Sequence, residues 1–230
     1  MTLFAPLRQT EDTLIKIAIA GDSTVSDTSP GEVNPQPGWG QLLPVYVDEK
    51  RVKITNFAKA GRSTKTFKNE GRWAKILASH PDYVYIQFGH NDSHAKEKPE
   101  ATDAATDYTA YLREFVQTAR AQNAKPLLVT PMHRALWDKT TGRLTRELLP
   151  YADATRAVAR EMMVPLIDLY ARSETEYENR GQEKVKPLLA RNGDDRTHFV
   201  EAGAKLMAGF VAQETARVVP ELRPVLRPPA

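Results

Sequence analysis

Ser23, Asp195 and His198 are residue types that together can perform acyl transfer. A serine hydroxyl is a weak nucleophile near neutral pH and needs a neighbouring base, most often histidine. The histidine needs a carboxylate that fixes its tautomer and stabilises the imidazolium that forms. Asp195 and His198 stand three apart in the run Asp195-Arg196-Thr197-His198-Phe199, so one helical turn would set them on the same side. A developing oxyanion needs preorganised donors, each worth about 3–4 kcal/mol. The N–H of Gly61 and the side-chain amide of Asn91 are the candidates, because glycine permits close backbone approach and asparagine carries an NH2 group.

Ser23, Gly61 and Asn91 follow short apolar runs that read as strands, whereas Asp195 and His198 stand just before the last helix. Residues 14–20, 51–57, 83–88, 125–130 and 164–169 are rich in β-branched, aliphatic or aromatic residues and stop near glycine or polar residues. Between them lie helical patterns over 102–123, 151–163 and 171–182, with a last helix over 201–218 and an interrupted one over 42–47. Strands alternating with helices predict a three-layer α/β/α sandwich around a five-stranded parallel sheet, flavodoxin-like in kind. Ligands of such sheets bind beyond the carboxyl ends of the strands, which is where the serine, glycine and asparagine segments fall. No fixed-period repeat or Gly/Ser linker divides the chain, so residues 1–220 read as one domain. The proline-rich residues 221–230 read as an extended tail.

Composition narrows the chemistry further. With no cysteine, disulfide scaffolds, thiolate metal sites and thiol catalysis are excluded. Basic and acidic residues, 32 against 29, are interleaved, which argues against a nucleic-acid partner. No apolar run reaches the roughly 18–20 residues of a membrane span. The amino terminus lacks a basic region followed by a long apolar stretch and a cleavage site. That pattern predicts a cytoplasmic protein, or a secreted or periplasmic one whose leader was trimmed.

The blocks GDST at 21–24, AGRS at 60–63, GHND at 89–92 and DRTH at 195–198 resemble, in this order, those of the SGNH or GDSL-type hydrolases. The likeness is closest to rhamnogalacturonan acetylesterases, through GDSTV, GWGQ at 38–41, GRST, QFGHND and the final DRTHF, and runs from about Ile17 to Ala204. The resemblance implies Ser23 as nucleophile, His198 as base and Asp195 as its partner. It implies an oxyanion hole of Ser23 N–H, Gly61 N–H and Asn91, and a fold of five parallel strands between helices. Family members use no metal or organic cofactor. The expected substrate is an acetylated pectic oligosaccharide or polysaccharide. No G-x-S-x-G occurs, so the nucleophile elbow of the α/β-hydrolases is absent.

Other readings compete. Ser23 and Asn91 are also residue types that cap helices, and Ser63, which also follows a glycine segment, fits a cap better than a nucleophile. Asp194 rivals Asp195 at a spacing of four from His198. His90, Asp92 and His94 alternate as zinc ligands could, which would make a metallohydrolase. The same serine chemistry could serve acetylated xylan, a lipid, a thioester or transfer to a sugar, and a non-catalytic sugar-binding module is a further alternative. Trp39, flanked by Gly38 and Gly40, could lie near the floor of a substrate pocket; His90 is a further substrate-binding candidate, unless it and Asp92 merely brace their loop. Arg62, His133, Arg134 and Lys65 could form a cationic rim for galacturonate carboxylates.

Overall fold

The computed structural model describes residues 14–29 and 31–229. Five parallel strands, β1 (Ile15–Gly21), β2 (Val52–Asn56), β3 (Tyr83–Gln87), β4 (Lys125–Val129) and β5 (Leu166–Ile167), pair in the order β2-β1-β3-β4-β5. Among the described residues eight α-helices connect or follow them. They are α1 (Trp39–Leu42), α2 (Thr64–Asn69), α3 (Arg72–Ala78), α4 (Asp107–Ala121), α5 (Leu149–Glu161), α6 (Leu169–Arg180), α7 (Gln182–Val185) and α8 (Glu201–Val218). The expected three-layer architecture is therefore present, with its five strands in the anticipated segments.

β1 and β3 are apolar on both faces because both faces are covered. Ile17, Ile19, Tyr83, Tyr85, Leu127 and Val129 pack with Trp39 of α1 and with Met207 and Val211 of α8. Ala18, Ala20, Val84, Ile86 and Leu128 face Phe67, Trp73, Phe115 and Val158 on helices α2 to α5. The pairing of Gly21 with Gln87 ends β1 and β3 side by side, so the loops carrying Ser23 and Asn91 leave the sheet as neighbours.

Several boundaries differ from the sequence pattern for identifiable reasons. The helix expected from Thr102 begins at Asp107, because Thr102 is drawn aside to hold Asp92: its N–H donates to the Asp92 carbonyl (3.0 Å) and its hydroxyl to the carboxylate (2.9 Å). β5 stops at Ile167 because Asp168 caps α6, accepting from the Ala171 N–H at 3.2 Å. The interrupted helix around Pro44 is one α-turn, α1, followed by a 3-10 turn over Leu43–Tyr46. The sequence pattern does not predict the short α7, nor α2 and α3. Only Phe67, Trp73 and Ile76 are buried apolar residues there, and Gly71 splits the segment, so no helical period builds up.

The tail is not a free arm. Pro220–Val225 forms a 3-10 helix that buries Leu222 and Val225, and Leu226 bridges to Val47. Arg227 N–H then donates to the Tyr46 carbonyl at 2.7 Å. Proline does stop α8, but the apolar residues between the prolines dock the chain back onto the domain. The amino-terminal segment that bears on a leader lies outside the described residues, as does Ala230. Among the described residues no helix is long and apolar enough to cross a membrane.

Candidate active site

Ser23 sits in the turn that leaves β1. The Asp22 carbonyl accepts the N–H groups of Val25 (3.2 Å) and Ser26 (3.0 Å), and the Asp22 carboxylate accepts the Thr24 N–H (2.9 Å) and hydroxyl (2.7 Å). Ser23 is thereby bracketed by its own neighbours. Asp22 braces the turn, as loop aspartates commonly do. Burial would raise the Asp22 pKa, but His90 and the Thr24 donors more than offset it and hold it below the usual carboxylate range. Gly38 and Gly40 let α1 approach this turn. A Cβ on Gly38 would lie 2.3 Å from the Val25 carbonyl carbon, and one on Gly40 2.5 Å from the Val25 oxygen.

His198 reaches Ser23 across 175 residues of sequence, with Nε2 at 2.8 Å from Ser23 Oγ and Nδ1 at 2.9 Å from Asp195 Oδ2. A carboxylate only accepts, so Nδ1 carries the ring proton and Nε2 is left as the acceptor for the serine O–H. The Asp195–His198 pairing does not use a helical turn, contrary to the spacing expectation. Instead Asp195 Oδ1 accepts the backbone N–H groups of Thr197 and His198, both at 2.9 Å, curling an irregular loop around the carboxylate. Burial works to raise the Asp195 pKa. The two backbone donors and the His198 ring outweigh it and hold the group low. Phe199, buried at the root of the loop, bridges to Leu189 and anchors the segment.

The loops of Gly61 and Asn91 converge on the same edge. Phe57 and Lys59 N–H groups donate to the Ile19 and Gly21 carbonyls (2.9 and 3.0 Å), which lays residues 57–62 against the end of β1. Gly61 has φ +79°, a conformation that side chains disfavour. Asn91 Nδ2 donates to the Arg62 carbonyl at 3.1 Å and so ties the third loop to the second. Neither the Ser23 N–H nor the Gly61 N–H has a backbone or side-chain acceptor among the described residues. Both remain free to donate to a ligand.

Asp92 locks the arrangement from beneath. Its buried carboxylate accepts the Thr64 hydroxyl (2.6 Å) and N–H (3.1 Å), the Thr102 hydroxyl (2.9 Å) and the Gly89 N–H (3.1 Å). Burial pushes its pKa up to about 6, against the opposing pull of Thr64 and Thr102. In Asp92→Asn the amide NH2 would confront the Gly89 N–H, leaving a buried donor unpaired. We expect a loss of about 1–3 kcal/mol in unfolding free energy, read from urea titrations. An unchanged midpoint would show that Asp92 does not hold the loop.

The sequence-level substrate candidates fare differently. Trp39 is fully buried and its indole N–H donates to Gln87 Oε1 at 2.8 Å, so it supports the serine turn from inside and does not line a substrate pocket. His90 and His133 are also buried, 2% and 1% exposed, the latter with its ring N–H on the Arg134 carbonyl. Arg62 is engaged by Glu70 at 2.9 Å, Lys65 by the Ala101 carbonyl at 2.7 Å, and Arg134 by the His90 carbonyl at 3.0 Å. The cationic rim is thus a set of internal braces. Ser63 caps α2 in a reciprocal capping box with Thr66, as its position suggested. The alternating His90, Asp92 and His94 are not brought together. They turn to Asp22, to Thr64 with Thr102, and to Glu100 respectively, and no metal-ligating cluster occurs among the described residues. Sequence reasoning missed Gln87, Thr64 and Thr102. The one available signal was a glutamine ending the otherwise apolar strand YVYIQ.

An α/β/α sheet of this order, with a Ser–His–Asp relay at its carboxyl edge, defines a class of hydrolase. The chain belongs to the GDSL-like lipase/acylhydrolase family, whose profile matches residues 19–206. It is 40% identical to the rhamnogalacturonan acetylesterase RhgT of Bacillus subtilis (strain 168), over 86% of this chain and 88% of that protein. It is 38% identical to the probable rhamnogalacturonan acetylesterase YesY of the same organism, over 86% of this chain and 90% of the relative. Among solved structures, protein YxiM of Bacillus subtilis superposes with a TM-score of 0.78 at 31% identity, covering 89% of this chain and 57% of that one.

Proposed function

We propose that this protein is a serine esterase that removes O-acetyl groups from rhamnogalacturonan-type pectic carbohydrate. The observation that carries the reading is the continuous relay from Ser23 Oγ through His198 to Asp195, at 2.8 and 2.9 Å, on the edge where the free Ser23 and Gly61 N–H groups lie. The names of the two relatives near 40% identity supply the substrate class.

In this mechanism Ser23 Oγ attacks the acetyl carbonyl carbon while its proton passes to His198 Nε2. The tetrahedral oxyanion receives hydrogen bonds from the Ser23 and Gly61 N–H groups and the Asn91 amide. His198 returns the proton to the departing sugar oxygen as the C–O bond breaks, leaving acetyl on Ser23. Water then gives its proton to His198, adds to the acyl carbon and releases acetate, and Ser23 recovers its proton. Asp195 keeps the Nδ1–H tautomer throughout. Every step uses the chain's own groups.

The Asn91 role has its own test. Asn91→Ala should lower kcat about 10²–10³-fold with little change in KM, because the donor serves a charge that exists only in the transition state. A rise in KM at unchanged kcat would instead make Asn91 a ground-state binding residue. For the substrate, acetate release should be measured on acetylated rhamnogalacturonan, acetylated xylan and short-chain lipid esters in parallel. Preference for the pectic substrate is expected. Equal or faster release from xylan would move the assignment to another carbohydrate ester while leaving the serine chemistry intact.

A further inference from the structure

Beneath the serine turn runs a buried chain of hydrogen bonds that the mechanism above does not use. Trp39 Nε1 lies 2.8 Å from Gln87 Oε1, Gln87 Nε2 lies 2.7 Å from Thr24 Oγ1, and Thr24 Oγ1 lies 2.7 Å from Asp22 Oδ1. All four residues are at most 1% exposed. Gln87 ends β3 directly opposite Gly21, the last residue of β1 before the turn. On the same face of β3 the two preceding side chains, Tyr83 and Tyr85, are ordinary core residues. A glutamine here has its amide desolvated, which is unfavourable unless both ends are paired.

The direction of every bond is forced by chemistry. An indole N–H can only donate, so it fixes the Gln87 oxygen toward Trp39 and turns the NH2 group toward Thr24. An amide NH2 also only donates, so the Thr24 oxygen must accept from it. The single hydroxyl hydrogen of Thr24 is then available to Asp22, whose carboxylate only accepts. Asp22 Oδ1 also takes the Thr24 N–H at 2.9 Å. The same carboxylate thus clasps Thr24 by both backbone and side chain, with Ser23 between the two residues. α1 adds a backbone clasp, the Trp39 N–H donating to the Thr24 carbonyl at 3.0 Å.

We propose that Gln87 is a positioning residue for the esterase reaction, its indole-oriented amide committing the Thr24 hydroxyl to Asp22 and so fixing the Ser23 turn on both sides. The inference rests on Ser23 being the nucleophile. Its consequence is a directed relay from a core tryptophan to the peptide units that aim the Ser23 oxygen and N–H. Reversing any link reverses those beyond it. In Gln87→Glu at pH 8 an ionised carboxylate would still accept from Trp39 but would also pull the Thr24 hydroxyl hydrogen toward itself, away from Asp22. In Thr24→Val the shape is kept and the relay is cut, whereas Thr24→Ser retains the hydroxyl.

The experiment compares wild type, Thr24→Val, Thr24→Ser, Gln87→Glu and Ser23→Ala on p-nitrophenyl acetate at pH 8, with urea midpoints to confirm that each is folded. A displacement of about 1 Å at a reacting group costs on the order of 100-fold in rate. The expected result is a loss of about 10- to 100-fold in kcat for Thr24→Val and Gln87→Glu, with KM changed less than about threefold. Thr24→Ser should remain within about threefold of wild type. A residue that merely packs would lower the urea midpoint without this kcat–KM split and without rescue by serine. Wild-type kcat in folded Thr24→Val or folded Gln87→Glu overturns the proposal. If either variant fails to fold, the other decides. Retained activity in Ser23→Ala would overturn the nucleophile assignment itself, an outcome distinct from loss of the relay alone.

Discussion

Ser23→Ala should lower kcat on p-nitrophenyl acetate by about 10⁵–10⁶-fold, the scale seen when a member of a cooperating nucleophile–base pair is removed. The loss is large because no other group in the relay can form the acyl-enzyme. Ser63, the other serine that follows a glycine segment, is buried and occupied as the cap of α2. Folding should be barely affected. The Ser23 hydroxyl is bonded only to His198 among the described residues, and the turn is held by Asp22, Thr24 and the glycines of the α1 segment. An unfolding free energy from urea titration within about 0.5 kcal/mol of wild type accompanies the expected activity loss. Steady-state rates and unfolding curves on the same preparation check both halves, and turnover above about one-hundredth of wild type would contradict the assignment.

Asp195→Asn is expected to cost about 10⁴-fold in kcat for a different reason, the wrong tautomer. The Asn oxygen would keep the backbone donors of Thr197 and His198, since these hold one side of the present carboxylate. Its NH2 group would then face His198 Nδ1, which must accept, placing the ring proton on Nε2. A protonated Nε2 cannot take the Ser23 proton. The same substitution changes acid stability. The folded Asp195 carboxyl is held below its ordinary 3.8, so ionised Asp195 stabilises the native loop above that value, and the contribution disappears as pH falls through the lower, folded-state pKa. Asp195→Asn should therefore flatten the acid limb of stability against pH between about pH 5 and the folded-state value. An unaltered acid limb would show that ionised Asp195 does not stabilise the loop, and a kcat loss below tenfold that it does not orient the ring.

The triad was legible because its chemistry is written in residue type and in position at strand ends. β1 is apolar from Ile17 to Ala20 and ends at Gly21, and the first hydroxyl beyond it is Ser23. Asp195 and His198 were legible as a pair, although the geometry that unites them is not the one their spacing suggested. A sequence period describes regular elements, whereas this loop is built by a carboxylate accepting two successive N–H groups. The supporting residues were less visible for a related reason. Trp39 between two glycines reads equally as a pocket floor or as a close-packed support, and only its burial and its bond to Gln87 distinguish them. Arg62, His90, His133 and Arg134 stand after strand ends as ligand-binding residues do, but their side chains find partners within the protein, nearby in sequence for Arg62 and His133 and distant for His90 and Arg134. The tail shows the same limit: proline predicts where a helix ends, not whether Leu222 and Val225 find a core to enter.

The central claim is that His198 activates Ser23, and activation is read most directly by covalent capture. Incubation with a fluorophosphonate, followed by intact-protein and peptide mass spectrometry, should give one adduct per chain, located on Ser23, with labelling lost in His198→Ala. An unreactive protein, or an adduct on Ser63 with Ser23 unmodified, would contradict it.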